Sequence, residues 1–214
     1  MSDGRREILE RIANGNRALG ADVSDARARL RERPLGPQPQ WGEAAVERFA
    51  GRLERAAATV GRIADRNALA AEVAAYLERQ GIAPEIVLAP HPLLDGLDWP
   101  DGVTAERRAL RDTDTTVLSV AFAGVAETGS LLMPSRPETP TGFNFLPDNF
   151  LCVIEAQRIV DHLEDAWTRI RDELGGMPRS LNFVTGPSRT ADVEQTIQLG
   201  AHGPRRLHAI LLDG

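Results

Sequence analysis

The stretch from Leu181 to Leu212 constrains the fold of this chain more than any other. Leu181-Asn182-Phe183-Val184 has strand character, and Gly186-Pro187-Ser188-Arg189-Thr190-Ala191-Asp192 is a polar turn. Val193, Ile197 and Leu199 then follow at helical spacing up to a stop at Gly200, and Arg206-Leu207-His208-Ala209-Ile210-Leu211-Leu212 is apolar enough for a buried strand. Strand, turn, helix and strand in that order predict a βαβ crossover, and hence an α/β fold. Ligands in such sheets lie outside the carboxyl ends of strands, where this turn is expected. With Thr190 as N-cap, the helix presents unpaired backbone N–H groups and the positive end of its dipole. Arg189 adds a planar fork suited to carboxylate or phosphate, and Ser188 and Thr190 add hydroxyls. The same string also fits a capped turn with an exposed Arg, since Asp192 and Glu194 already complement the dipole.

The remaining pattern places this unit inside one α/β domain with an appendage. Residues 1–33 read as two short charged helices, with Ile8, Leu9, Ile12 and Leu19 and then Val23, Ala26 and Leu30 as their apolar positions. The Pro-rich run from Pro34 to Gln40 reads as a linker, so residues 1–40 are an arm and residues 41–214 the domain. A helix carrying Ala45, Val46, Phe49 and Leu53 follows, then a short strand around Ala58-Thr59-Val60 and Ile63. A helix from Asn67 to Gln80 stops at Gly81, and the strand Glu85–Ala89 empties into Pro90-His91-Pro92. From Thr115 the chain is a short helix or extended segment that enters a tight turn at Glu127-Thr128-Gly129-Ser130 and leaves as a strand. Pro134 to Asn149 is a long polar loop containing Arg136 and Asn144, of a length common in binding loops. A strand around Leu151 to Glu155 and a helix with Val160, Leu163, Trp167, Ile170 and Leu174 complete the pass.

Composition removes several function classes. A net charge of −6 supplies no basic face to release counterions from phosphates, which argues against nucleic acid. All 25 basic residues are Arg, so neither Schiff-base chemistry nor a P-loop lysine is available. One cysteine, Cys152, cannot build an iron–sulfur cluster or a structural zinc site, and its apolar surroundings suit a small buried hydrophobe. No segment approaches the roughly 20 apolar residues of a spanning helix, and no signal-like apolar run opens the chain, so no membrane insertion and a cytoplasmic location are expected. Of the four histidines, His91 lies beyond a strand end, where proton transfer is feasible, and His202 lies in the loop after the motif helix. His162 and His208 read as structural, and the scatter of all four predicts no metal.

Ala126-Glu127-Thr128-Gly129-Ser130, Leu146-Pro147, Gly186 to Glu194 and Leu199-Gly200-Ala201-His202-Gly203-Pro204 resemble, in that order, the signatures of the LUD-domain family, in its lactate utilization protein C branch. The resemblance covers roughly Trp41 to Gly214. It implies a fold similar to the sugar-phosphate isomerase and CoA-transferase group, an α/β fold whose sheet is mostly parallel and flanked by helices. It also implies a role in oxidation of L-lactate to pyruvate beside two partner proteins that carry the iron–sulfur clusters, this chain holding no cofactor of its own. On that reading Arg189 clamps a small anionic metabolite, with Gly186, Ser188, Thr190, Thr128, Gly129, Ser130, Arg136 and His202 lining its site. Glu127 and His91 are the acid/base candidates. Two positions depart from the family pattern: Phe122 stands where many relatives have Asp, and Phe150 where they have His. Two other readings stay open, an independent CoA-transferase-like enzyme acting on an acyl or phosphorylated metabolite, and a non-catalytic assembly subunit. The protruding arm implies self-association into a homodimer.

Overall fold

Three runs that are buried at nearly every position, Thr116–Val120, Asn149–Glu155 and Arg206–Leu212, form the middle of a parallel sheet, where both faces are covered and alternation is lost. The computed structural model describes residues 3–18, 23–33, 35–190, 198–200 and 202–213. The chain divides into two units, Met1–Pro39 and Gln40–Gly214. The first contains α1 (Asp3–Ala18) and α2 (Val23–Glu32), and on α1 the side chains of Ile8, Leu9 and Ile12 are exposed.

The second unit runs α3 (Ala45–Arg55), β1 (Thr59–Ile63), α4 (Leu69–Gln80), β2 (Glu85–Leu88), β3 (Thr104–Arg107), β4 (Thr116–Val120), β5 (Ala123–Val125) and β6 (Ser130–Pro134). It continues with α5 (Gly142–Phe145), β7 (Asn149–Glu155), β8 (Ile159–Val160), α6 (Leu163–Leu174), β9 (Leu181–Val184), β10 (Arg189–Thr190), β11 (Gln198–Leu199) and β12 (Arg206–Leu212). Six strands in the order β1-β12-β7-β4-β2-β3 form the main sheet, and every neighbouring pair in it is parallel. The expected architecture, a mostly parallel sheet flanked by helices, is therefore what the chain adopts. Register places His208 of β12 between Thr59 and Leu151, and Cys152 of β7 between Ser119 and Ala209.

A second sheet, β8-β5-β6-β9, stands beside the first. The chain passes between them at Ala121 and Phe122: Ala121 N donates to Val153 O in the main sheet, and Phe122 N donates to Leu132 O in the second. The stretch from Thr115 is thus two strands in two sheets, and the helical option for it is excluded. Its β-branched and apolar residues suit a strand that is covered on both sides. α6 closes the second sheet, with Ala166 and Ile170 against Ala123, Val125 and Leu132. Val160, expected on that helix, instead belongs to β8. A one-turn helix, α5, interrupts the loop between Pro134 and Asn149.

The crossover expected between Leu181 and Leu212 does not form in one sheet. β9 pairs antiparallel with β6 in the second sheet, whereas β12 lies in the main one. Thr190 ends β10, which pairs antiparallel with β11, and the helix it is expected to cap lies outside the described residues. The cause lies in Ser188, whose N–H donates to Pro204 O and whose carbonyl accepts from Gly200 N–H, so the backbone entering Arg189 is held extended from both sides. The helix expected around Val193 and Ile197 falls on residues 191–197, outside the described residues; Leu199 is in β11.

Candidate functional site

The carboxyl end of α3 is the surface on which two of the singled-out turns meet. Gly129 has φ 71°, and a Cβ there would lie 2.6 Å from Arg52 Cβ and 2.8 Å from Leu53 N. Gly186 has φ 87°, and its Cβ would overlap Ala56 O. Both turns therefore need glycine twice over, for a left-handed backbone and for contact with the helix. The two are joined by hydroxyls: Thr128 Oγ1 lies 2.7 Å from Ser130 Oγ, which lies 2.5 Å from Thr185 Oγ1. Ser130 is buried, and Thr128 and Thr185 are exposed, so the chain of hydroxyls runs from solvent to solvent through one buried oxygen. Ser188 packs on the third motif, since a Cβ at Gly203 would sit 3.3 Å from Ser188 Cβ. Arg189 and His202 are exposed, and Arg189 makes no ion pair among the described residues. The side chain of Thr190 is outside the described residues.

Next to this face, Pro187 lines a cleft of about 470 Å³ with Thr59, Tyr76, Gln80, Arg205 and Arg206. Thr59 and Arg206 open β1 and β12, so the cleft lies at the amino ends of parallel strands, opposite to the expectation. Behind it, buried His208 stacks on Tyr76 at 3.9 Å and lies 2.8 Å through Nδ1 from Thr59 Oγ1 and 3.6 Å through Nε2 from Glu72 Oε1. Burial drives its pKa down to about 4, against the opposing pull of Glu72.

Glu127 does not face Arg189. Its Oε2 accepts the N–H of Leu163, the first residue of α6, and lies 3.9 Å from His162 Nδ1. A carboxylate is well placed at a helix N-terminus, so the side chain is committed to holding α6 in position. The neighbouring cluster was not anticipated. Arg48, 2 % exposed, pairs with Asp161, donates to Glu43 O and lies 4.2 Å from the Trp41 ring centroid, while Trp41 packs on His162 at 5.0 Å. Its trace in the sequence is an Arg three residues after Ala45 on a helix face otherwise built from Ala45, Phe49 and Leu53.

His91 and Arg136 lie elsewhere, in a cavity of about 390 Å³ at the carboxyl ends of β2, β4 and β7. Val120, Glu138, Glu155, Arg158 and Glu173 share its wall. His91 Nδ1 accepts the N–H of Leu93 at 3.1 Å, and burial lowers its pKa below the ordinary imidazole value. Phe122, where the resemblance expects Asp, also lines this cavity, with the Arg158 guanidinium 4.8 Å from its ring centroid. Phe150 is fully buried in β7, within the core. The candidate residues thus separate into two groups at opposite ends of the main sheet. Among the described residues no group of three or more His, Cys, Asp or Glu is arranged to hold a metal ion. Cys152 is buried beside Met133, its thiol pKa pushed far up by burial. No helix among the described residues is long and apolar enough to cross a membrane.

A family model described as the LUD domain matches residues 46–212. An uncharacterized protein of Neisseria meningitidis serogroup B is 35% identical over 89 residues, 42% of this chain and 38% of that protein. Lactate utilization protein C of Geobacillus kaustophilus is 31% identical over 100 residues, 44% of this chain and 42% of its own. The protein of that name from Geobacillus thermodenitrificans is 27% identical over 161 residues, 68% and 67% of the respective chains. In the first two of these relatives the match spans less than half of the relative's length. Among solved structures, a DUF162 family protein from Deinococcus radiodurans superimposes with a TM-score of 0.60 at 20% identity, covering 82% of this chain and 100% of that one. That likeness concerns the fold.

Proposed function

Since this chain belongs to the LUD domain family, we propose that it is the cluster-free component of a cytoplasmic system that oxidises L-lactate to pyruvate. In this reading two iron–sulfur proteins are its partners and carry the electrons, and the chain itself binds a small anion at the Gly186–Arg189 turn. The name lactate utilization protein C, borne by several relatives, supports the pathway. One observation supports the site: the turn at Glu127–Ser130, the turn at Gly186 and the Gly203-Pro204 segment are drawn together through Ser130, Thr185 and Ser188, beside an exposed Arg189 with no ion pair among the described residues. A free guanidinium flanked by hydroxyls is suited to bidentate recognition of carboxylate or phosphate. Covalent acyl transfer through Glu127 draws no support, since that carboxylate is engaged at the start of α6.

The test is genetic and calorimetric. In a strain lacking this gene, the unaltered gene restores growth on L-lactate, and Arg189→Ala is expected to abolish that rescue while leaving growth on glucose unchanged. Titration of the pure variant with pyruvate or inorganic phosphate should show affinity at least about tenfold weaker, a loss of roughly 1.4 kcal/mol. Full growth and unchanged binding by the variant would remove the site. Failure of the tagged protein to co-purify with cysteine-rich iron–sulfur proteins would remove the partnership.

A further inference from the structure

The cavity at the carboxyl ends of β2, β4 and β7 plays no part in the anion face and has its own complement of polar groups. It occupies the crevice where ligands of open parallel sheets are generally found, and its volume of about 390 Å³ lies within the range of small-molecule sites. Part of its wall is spoken for: Arg158 donates to Glu173 at 2.6 Å and to Phe122 O, and lies against the Phe122 ring. Four groups remain. Arg136 meets only Glu138, at 3.3 Å through Nε, and its side chain makes no hydrogen bond among the described residues. His91 receives the Leu93 N–H on Nδ1, so its own proton is on Nε2 and the ring offers a donor. Glu138 Oε2 is buried with no hydrogen bond among the described residues, and Glu155, the last residue of β7, has only a 3.4 Å contact from Gln157.

Two donors and two carboxylates with lone pairs to spare, one of them ion-paired with Arg136 at 3.3 Å, select a ligand that carries both kinds of partner. We infer that this cavity is a second ligand site, for a small carboxylate bearing a hydrogen-bond donor on its α carbon. The ligand carboxylate meets Arg136 and His91, and the α hydroxyl or ammonium donates to Glu138 and Glu155. A carboxylate without that donor meets the same two glutamates as repulsion, with nothing to satisfy their lone pairs. This inference does not depend on the proposed anion face, because the residues of the two sites are disjoint.

Because the proposed anion face also takes small carboxylates, the full chain and its Arg189→Ala variant are both titrated calorimetrically with L-lactate and L-alanine, which carry the donor as hydroxyl and ammonium, and with propionate and pyruvate, which lack it, and the discrimination is read in the variant. At least one of the first pair should bind about tenfold more tightly than either of the second, a discrimination of roughly 1.4 kcal/mol. Arg136→Gln should weaken that ligand at least about tenfold, and Glu155→Gln should reduce the discrimination against propionate to a fewfold. Arg189→Ala should leave this binding unchanged, which separates failure here from failure of the anion face. Arg136 and Glu155 are not in the core, and unchanged thermal unfolding of both variants serves as the folding control. The inference is overturned if neither L-lactate nor L-alanine binds at millimolar concentration, if propionate binds equally well, or if Arg136→Gln binds as the parent does.

Discussion

At the scale of single residues, Gly129 and Gly186 do the most to join the motifs. Each combines positive φ with a Cβ position already taken by α3. Alanine at either site therefore meets left-handed strain of about 1 kcal/mol, and a backbone clash besides. Each Gly→Ala variant is expected to lose at least ~2 kcal/mol and about 5 °C in Tm, read by thermal circular dichroism. Gly81, also at positive φ but with open space around it, should show only the strain. His208 sets a pH dependence. The folded protein keeps it neutral down to about 4, whereas an unfolded chain protonates it near its ordinary 6.5. Unfolding thus takes up a proton between those values, so this contribution to stability is complete above pH 6.5 and falls away as pH drops toward 4. The loss is on the order of 3 kcal/mol, visible as a falling urea midpoint between pH 7 and pH 4.5. His91 is lowered in the same sense, so a His208→Asn variant should show a shallower slope, not a flat one.

At the scale of elements, α3 joins parts of the chain that are distant in sequence. Its apolar face enters the core through Phe49 and Leu53, its carboxyl end seats both glycine turns, and Arg48 ties it to Asp161 at the entry to α6. Arg48 is buried while the Asp161 side chain is 56% exposed, so the two halves of the pair are unequal. Removing Asp161 leaves a buried guanidinium that still has Trp41 and Glu43 O; removing Arg48 empties a large volume in the core. Arg48→Ala is expected to cost about 3 kcal/mol and Asp161→Asn about 1 kcal/mol in denaturant unfolding. Equal losses would show that the ion pair, and not the packing of Arg48 under Trp41, holds the joint.

For the molecule as a whole, the division at Pro39 separates a helical pair from the α/β unit. The exposed Ile8, Leu9 and Ile12 of α1 form an apolar stripe at helical spacing. A protein beginning at Gln40 is expected to unfold cooperatively with a Tm within a few degrees of the full chain, while losing association with the proposed iron–sulfur partners or with itself in analytical ultracentrifugation. A shortened protein that unfolds broadly would show that the arm contributes to the stability of the α/β unit.

By itself, the amino-acid order determined the main helices and strands, α3, α4, α6, β2 and β7 among them, and that they build an α/β domain. Continuous apolar runs such as Leu151–Glu155, and amphipathic segments closed by residues such as Gly81, are local properties, because burial on both faces or on one is written into the spacing of side chains. The motif strings at Glu127 and Gly186 were equally legible. Only the tertiary structure decided how these pieces combine. That β9 joins β6 and not β12, that Arg189–Thr190 is extended, and that Glu127 turns toward α6 while His91 and Arg136 line a different cavity all follow from partners far away in sequence. Strand pairing and side-chain direction are settled by which distant donors and acceptors a backbone meets, and the short strings that look alike carry no record of that choice.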